Sequence, residues 1–340
     1  MPNNAATAAA RLCSAPMMDW TDRHCRYFHR LLSRRALLYT EMVTAPALVR
    51  GGALHLLDHD PAEHPLALQL GGSDPDELAD ATAMGAQAGY VEVNLNCGCP
   101  SDRVQSGCFG AVLMQDPALV ARCAEAMIAA SPAEVTVKCR IGVDEQDPRV
   151  ALPRFLDAVA GAGVRRVIVH ARKAWLQGLS PRENRDVPPL DYPLVLAMAR
   201  AYPQLQIVLN GGIDSLDAAE ALLAQGIAGV MIGRAAYQRP ADILCGADAR
   251  IFGVPGGLDP VAAVAAMRPY IARHLDRGGR LHAVTRHMLG LFAGRPGARG
   301  WRRVLSEGAT RPGAGLEVLD AALVQVDPEA GAQRAAALIS

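Results

Sequence analysis

Lysine is nearly missing from this 340-residue chain. Lys138 and Lys173 are the only two, against 32 arginines. Where only charge counts, arginine replaces lysine, so a surviving lysine marks a place where a compact ammonium matters. Aromatic residues are scarce at 4%. No apolar run reaches the ~20 residues of a membrane span. Met1 to Ala10 carry no basic segment and no apolar stretch, which argues against a secretory signal and for the cytoplasm. The eight cysteines contain no CxxC pair, which argues against a zinc ribbon. Most are expected as small buried hydrophobes in a reducing compartment. No GxGxxG follows the first strand candidate, so the Rossmann reading lacks its fingerprint. Net charge is zero, which excludes a polycation but not a local basic face.

Short β-branched runs alternate with Ala/Leu-rich helical patterns. The strand candidates are Leu12–Ala15, Leu37–Glu41, Leu66–Leu70, Tyr90–Leu95, Glu134–Cys139, Arg166–His170, Gln206–Asn210 and Gly229–Ile232. Asp74-Pro75, Asp116-Pro117 and Ser215 open helices between them. Eight βα units over about 235 residues predict an α/β TIM (β/α)8 barrel. Gly253 to Gly257 reads as a linker. Asp259-Pro260 then opens a helix with a stripe at Val264, Met267, Ile271 and Leu275. A second helix carries Leu281, Val284, Met288 and Phe292. The expected organisation is a disordered tail over 1–10, a barrel over 11–250, a small C-terminal helical domain over 258–327, and a peripheral tail over 328–340.

Gln69, Asn96, Lys138, His170, Asn210 and Arg234 fall at strand ends, the rim where barrel active sites lie. Any one of them alone reads as a strand cap; six in register read as a site. Asn210-Gly211-Gly212 after the seventh strand and Gly233-Arg234 after the eighth suit a phosphate, because glycine lets backbone N–H groups approach closely. Arg234 can add a bidentate contact. Gln69, Lys138 and His170 below would suit a flavin, with the ammonium beside a ring that gains negative charge on reduction.

Asn94-Leu-Asn96-Cys97-Gly98-Cys99-Pro100 is the most unusual stretch. An ordinary thiol is protonated at pH 7 and can give a proton without prior activation. Cys99 reads as such a donor, or as a nucleophile if a base or cation activates it. A metal or Fe–S reading of Cys97, Cys99 and Cys108 matches no known spacing and lacks a fourth ligand.

Residues 268–312 hold ten arginines against Asp276 and Glu307, a net charge of +8 that leaves −8 for the remainder. A solvated helix face would usually mix signs. This asymmetry points to a polyanion, and Trp301 among Arg295, Arg299, Arg302 and Arg303 favours a structured RNA. No metal, membrane or obligate protein partner is indicated.

These motifs resemble the tRNA-dihydrouridine synthase family over almost the whole chain. The resemblance rests on Asn96-Cys97-Gly98-Cys99-Pro100, Val104 and Gly110-Ala111, with Ala15-Pro16-Met17-Met18-Asp19, Leu68-Gln69-Leu70-Gly71, Val137-Lys138-Cys139-Arg140-Ile141-Gly142, Val169-His170-Ala171-Arg172, Asn210-Gly211-Gly212-Ile213 and Ile232-Gly233-Arg234. Lys173 to Pro181, Asn184-Arg185, Pro188 to Tyr192 and Arg299-Gly-Trp301-Arg302-Arg303 resemble the A subfamily, which reduces uridines 20 and 20a of the tRNA D-loop. Cys97, Cys108 and Val112 depart from the family's commonest pattern.

The resemblance implies a flavin-dependent oxidoreductase with FMN as prosthetic group and NADPH, or NADH, as reductant. It maps FMN contacts to Pro16, Met17, Met18, Gln69, Lys138, His170, Asn210, Gly211, Gly212, Gly233 and Arg234. Cys99 would be the proton donor to uracil C5 while hydride reaches C6. Asn94, Asn96, Arg172, Asn184, Arg185, Arg299 and Arg302 are the expected substrate and tRNA contacts. Two other readings stay open here: an FMN-dependent reductase of free pyrimidines, which would not need the +8 module, and a non-catalytic tRNA-binding protein.

Overall fold

A computed structural model describes residues 8–101 and 109–327. Eight strands run in parallel: β1 (Leu12–Ser14), β2 (Leu38–Thr44), β3 (Leu66–Gly71), β4 (Glu92–Cys97), β5 (Glu134–Arg140), β6 (Arg166–His170), β7 (Gln206–Asn210) and β8 (Gly229–Ile232). Each of β2 to β8 pairs with the next in sequence, and β8 pairs with β1. The ring closes where Ser14 N–H donates to Leu37 O at 2.9 Å and Leu37 N–H to Leu12 O at 3.0 Å. The fold is the expected TIM barrel, followed in the chain by helices.

The helices start where the sequence marks them. Asp74, Asp116, Asp147 and Asp259 each accept backbone N–H groups of the turn they open, and a proline fills the next position. Proline's missing donor is harmless there, because a first-turn N–H has no helical partner.

The chain divides into two compact units. The first is the barrel, Met1–Thr21, Ala36–Ile213 and Asp217–Gly233. The second is Asp22–Arg35, Asp214–Leu216 and Arg234–Ser340. Helix Arg23–Leu32, which the sequence places within 11–250, therefore packs with the helical unit. Asp22 holds it there: its carboxylate caps His24 and Cys25 N–H and accepts from Arg286 at 2.6 Å and His287 at 3.0 Å.

Three expectations need correction. Residues 1–7, 102–108 and 328–340 lie outside the described residues, and with them Val104, Cys108 and most of both expected tails. Ala9 and Ala10 are not tail, however. They are buried against Cys13 and Met231 in the core, and Gly229 has no side chain to block Ala10 O. The single helix expected over 281–292 stops at Thr285, and turns follow. Gly290 lies against the Gln238 backbone there, where a Cβ would stand 2.2 Å from its carbonyl; Met288, Leu291 and Phe292 stay buried. Trp301 is not part of a surface. It is fully buried, its indole N–H donates to Met288 O at 3.0 Å, and its ring meets Phe292 edge-on.

At the base of the barrel, Arg166 is fully buried and paired with Glu92 at 2.5 Å and Glu134 at 2.7 Å. Its Nε donates to Gln206 Oε1, and the Tyr39 hydroxyl donates to Glu92. A buried charge persists only when its donors and acceptors are met in this way.

Candidate active site

Parallel register gives neighbouring residues a common face. Asn94 lies beside Gln69 and Thr136, Asn96 beside Lys138, Arg140 beside His170, and His170 beside Asn210. Gln69, Asn96, Lys138, His170 and Asn210, read at the strand ends, thus share one end of the barrel. Cys97 pairs in register with Cys139 on the opposite face and is fully buried. Burial, with Cys139 and Cys123 nearby, pushes its thiol well up. It cannot share a ligand with Cys99, and no cluster of three metal-binding side chains occurs among the described residues.

Cys99 sits just beyond β4, half-buried, with its Sγ 3.4 Å from Ser101 Oγ. Asn96 Oδ1 accepts from Gly98 N–H and Cys99 N–H, both at 3.0 Å. Ala111 N–H donates to Cys99 O at 2.9 Å. Arg140 Nε donates to Gly98 O at 3.2 Å. The cysteine backbone is therefore gripped at its nitrogen and its oxygen, while its thiol stays half-buried beside Ser101 Oγ.

Arg140 was not among the expected site residues. Its Nη1 also donates to Lys173 O at 3.1 Å and Asn184 O at 2.8 Å, so the end of β5 ties the loop after β4 to the loop after β6. Its place two residues beyond Lys138, on the same face, was a signal for it. Burial pulls the Arg140 cation down to about 10. Burial, with Arg140 beside it, brings Lys138 down to about 8. Burial first, then Arg140, Lys138, Arg172 and Arg185, holds His170 well below its ordinary value, as a neutral imidazole.

Two expected substrate contacts turn inward. Asn94 is fully buried; its Oδ1 accepts from Gln69 Nε2 and its Nδ2 donates to Thr136, both at 2.8 Å. Asn184 is fully buried too. Its Oδ1 accepts from Trp175 N–H and its Nδ2 donates to the carbonyls of Trp175 and Leu179, so it shapes its own loop. Arg172 braces the same loop through the carbonyls of Pro188 and Asp186. Arg185 is exposed.

The glycines separate into two kinds. Gly211 and Gly212 have φ of +111° and +70°, and a Cβ at Gly211 would lie 2.6 Å from His170 Cδ2. Their own fold requires glycine. At Gly233 a Cβ would meet only Ala15 and Met17 at 3.5 and 3.6 Å, which is ordinary contact, and φ is not positive. An alanine would fit there without strain, so the fold itself does not require this glycine. Pro16 and Met17 are half-buried on the loop after β1, with Met17 N–H donating to Thr21 at 3.0 Å, and Met18 is exposed. Asn210 Nδ2 ties β7 to Met231 O at 2.8 Å.

In the second unit, Arg234 opens helix Arg234–Gln238. Arg299, Arg302 and Arg303 lie exposed on helix Ala298–Gly308, opposite the buried Ala298, Trp301, Leu305 and Gly308. Among the described residues, two of the ten arginines in this stretch are seen in ion pairs: Arg268 with Asp320 and Arg286 with Asp22. No described helix is long and apolar enough to cross a membrane.

Comparisons with known proteins agree with this geometry. A family model described as dihydrouridine synthase matches residues 13–327. The tRNA-dihydrouridine(20/20a) synthase of Shewanella oneidensis is 54% identical over 325 residues, covering 94% of this chain and 95% of the relative. That of Xanthomonas campestris is 54% identical over 331 residues, covering 97% and 98%. That of Escherichia coli K12 is 55% identical over 317 residues, covering 93% and 91%. A solved structure, the old yellow enzyme homologue of Zymomonas mobilis, shares the fold with a TM-score of 0.51 at 12% identity, over 74% of this chain and 91% of that one. The cysteine loop, the rim set and a match that runs through both units place the chain in the dihydrouridine synthase family.

Proposed function

We propose that this chain reduces the C5–C6 double bond of uridines 20 and 20a in the tRNA D-loop to dihydrouridine, with FMN as prosthetic group and NADPH as reductant. One observation carries the reading. The Cys99 backbone is held by Asn96, whose neighbour in register on the next strand is the cation Lys138.

The residues present fit FMN. The bare backbone at Gly233, where the fold does not require glycine, suits a phosphate ester, with Gly211 and Gly212 shaping the neighbouring turn. Gln69, Lys138 and the neutral His170 offer an amide, a cation and an imidazole to a flat ring bearing carbonyls. Pro16, Met17, Met18, Asn210 and Arg234 complete the assignment. When bound, FMN supplies the hydride that goes to uracil C6.

The chain's own residues do the rest. Lys138 and Asn96 meet negative charge that develops on the uracil oxygen. Cys99 Sγ delivers the proton to C5. The exposed Arg299 and Arg302, with Arg185, meet tRNA phosphates. The target base must leave its stack to reach the mouth, at a cost of a few kcal/mol.

Cys99→Ala tests the proposal. It is expected to bind FMN and to be reduced by NADPH normally, and to lose about 10²–10⁴-fold in single-turnover dihydrouridine formation on tRNA. Cys97→Ala, on the far face of β4, is expected to be nearly silent. A wild-type single-turnover rate in Cys99→Ala refutes the proton-donor role. Free uracil as an equally good substrate would favour the free-pyrimidine reading.

A further inference from the structure

Glu92, Asn94 and Asn96 alternate along β4 and share its inner face. Together with Thr136 and Gln69 they form an unbroken line of hydrogen bonds from the base of the barrel to the cysteine loop. Every bond in that line has one allowed direction. The Glu92 carboxylate, facing the Arg166 guanidinium at 2.5 Å, can only accept. Thr136 therefore spends its single hydroxyl hydrogen on Glu92, at 2.6 Å. Thr136 Oγ1 must then accept from Asn94 Nδ2, at 2.8 Å. That turns Asn94 Oδ1 toward Gln69 Nε2, at 2.8 Å. Gln69 Oε1 must then accept from Asn96 Nδ2, at 2.8 Å. Asn96 Oδ1 is left for Gly98 N–H and Cys99 N–H, at 3.0 Å each. Those backbone groups can only donate, so both ends demand the same direction.

We propose that Thr136 and Asn94, anchored on Glu92, are positioning residues that set the amide direction of Gln69 and Asn96 and through them the seat of Cys99. Neither touches substrate, since both are fully buried. The line has a second effect. Each amide nitrogen of the line, on Asn94, Gln69 and Asn96, keeps one further hydrogen, and those of Gln69 and Asn96 lie toward its upper end. The mouth thus faces its ligand with N–H groups, which suits the carbonyl oxygens of an imide ring. A reversed line would present oxygens and repel them. This inference rests on the uridine-reductase reading for its kinetic arm only; the placement of the thiol is read independently.

Thr136→Val keeps shape and removes the hydroxyl, while Thr136→Ser keeps the hydroxyl and removes a methyl. Two readouts apply to the holoenzymes. One is reoxidation of the reduced flavin by tRNA, with wild type as the check on the uridine-reductase reading. The other is the rate of Cys99 alkylation by iodoacetamide, followed by peptide mass spectrometry. Thr136→Val is expected to slow reoxidation by about tenfold or more at saturating tRNA, because small misplacements of reacting groups carry losses of that order. It should change the alkylation rate at least about threefold, as the pinned Cys99 amide loosens. Thr136→Ser should restore both to near wild type. Unchanged reoxidation and alkylation in Thr136→Val overturn the proposal, and so does equal impairment in both variants, which would make the effect one of methyl packing. If Thr136→Val does not fold, neutron diffraction from deuterated wild-type holoenzyme crystals decides. Gln69 Nε2 hydrogens pointing at Asn94 support the direction, and Gln69 Oε1 pointing there overturns it.

Discussion

Two glycines on the rim are expected to respond to the same substitution in opposite ways. At Gly211 the backbone has φ +111°, and an added Cβ would lie 2.6 Å from His170 Cδ2, 2.9 Å from Nε2 and 3.1 Å from Leu190 Cδ2. The backbone strain of an L residue there is about 1–3 kcal/mol. His170 is buried, so its ring can give way only by disturbing its neighbours; overpacking of this kind adds about 1–3 kcal/mol. Gly211→Ala should therefore lose about 2–6 kcal/mol of stability in urea titrations of the apoprotein, as the sum of these two effects. Gly233→Ala meets only ordinary contacts at 3.5 and 3.6 Å, and should stay within about 0.5 kcal/mol of wild type. Its methyl group instead occupies the space assigned to the flavin phosphate. Fluorescence titration should show FMN affinity down at least about tenfold, or about 1.4 kcal/mol. Wild-type FMN affinity in Gly233→Ala would refute the cradle assignment, and wild-type stability in Gly211→Ala would refute the crowding argument.

Lys138→Arg should lower FMN occupancy and slow NADPH reduction of the flavin, since a planar guanidinium cannot replace a point charge. The Lys138 cation, brought down to about 8, is present below that pH and lost above it, so the wild-type reduction rate should fall on the alkaline side while that of Lys138→Arg stays flat there; parallel profiles would argue against the assignment. Arg299→Ala with Arg302→Ala should weaken tRNA binding and flatten the slope of log K against log salt by about 1–2 units; an unchanged slope removes both from the interface. Arg166→Met should destabilise the barrel by about 3–5 kcal/mol, because it leaves Glu92 buried without its counter-charge. Equal urea midpoints for this variant and wild type would show that the pair is dispensable.

The strands were legible because buried parallel strands read as short β-branched runs. Arg166–His170, Gln206–Asn210 and Gly229–Ile232 stand as the sequence marks them. β4 is shifted from Tyr90–Leu95 to Glu92–Cys97: the apolar Tyr90 and Val91 precede the strand, and Asn96 and Cys97, read as lying beyond it, still pair with Lys138 and Cys139. The cysteine loop and the rim set were legible as motifs. Direction was not: only register shows that Asn94 faces Thr136 and Gln69 and not a ligand, although Glu92, Asn94 and Asn96 at every second position were visible. Trp301 misled for the same reason, since local sequence gives the arginines around it but not which helix face turns inward. Arg140 was hidden because its partners are backbone carbonyls of two loops distant in sequence.

Asp22 meets Arg286 and His287 across more than 260 residues of chain. At roughly 5–20 residues per second of synthesis, about 13–50 seconds separate the first partner from the second on the ribosome. Through that interval helix Arg23–Leu32 has emerged, but the segment that neutralises its cap and packs with it does not yet exist. Cys25, Phe28 and Leu32, fully buried at the end, are exposed to solvent and to chaperones while they wait. The second unit is thus closed by the last third of the chain around a helix made near its beginning, so a chain cut after Gly253 loses more than a terminal module.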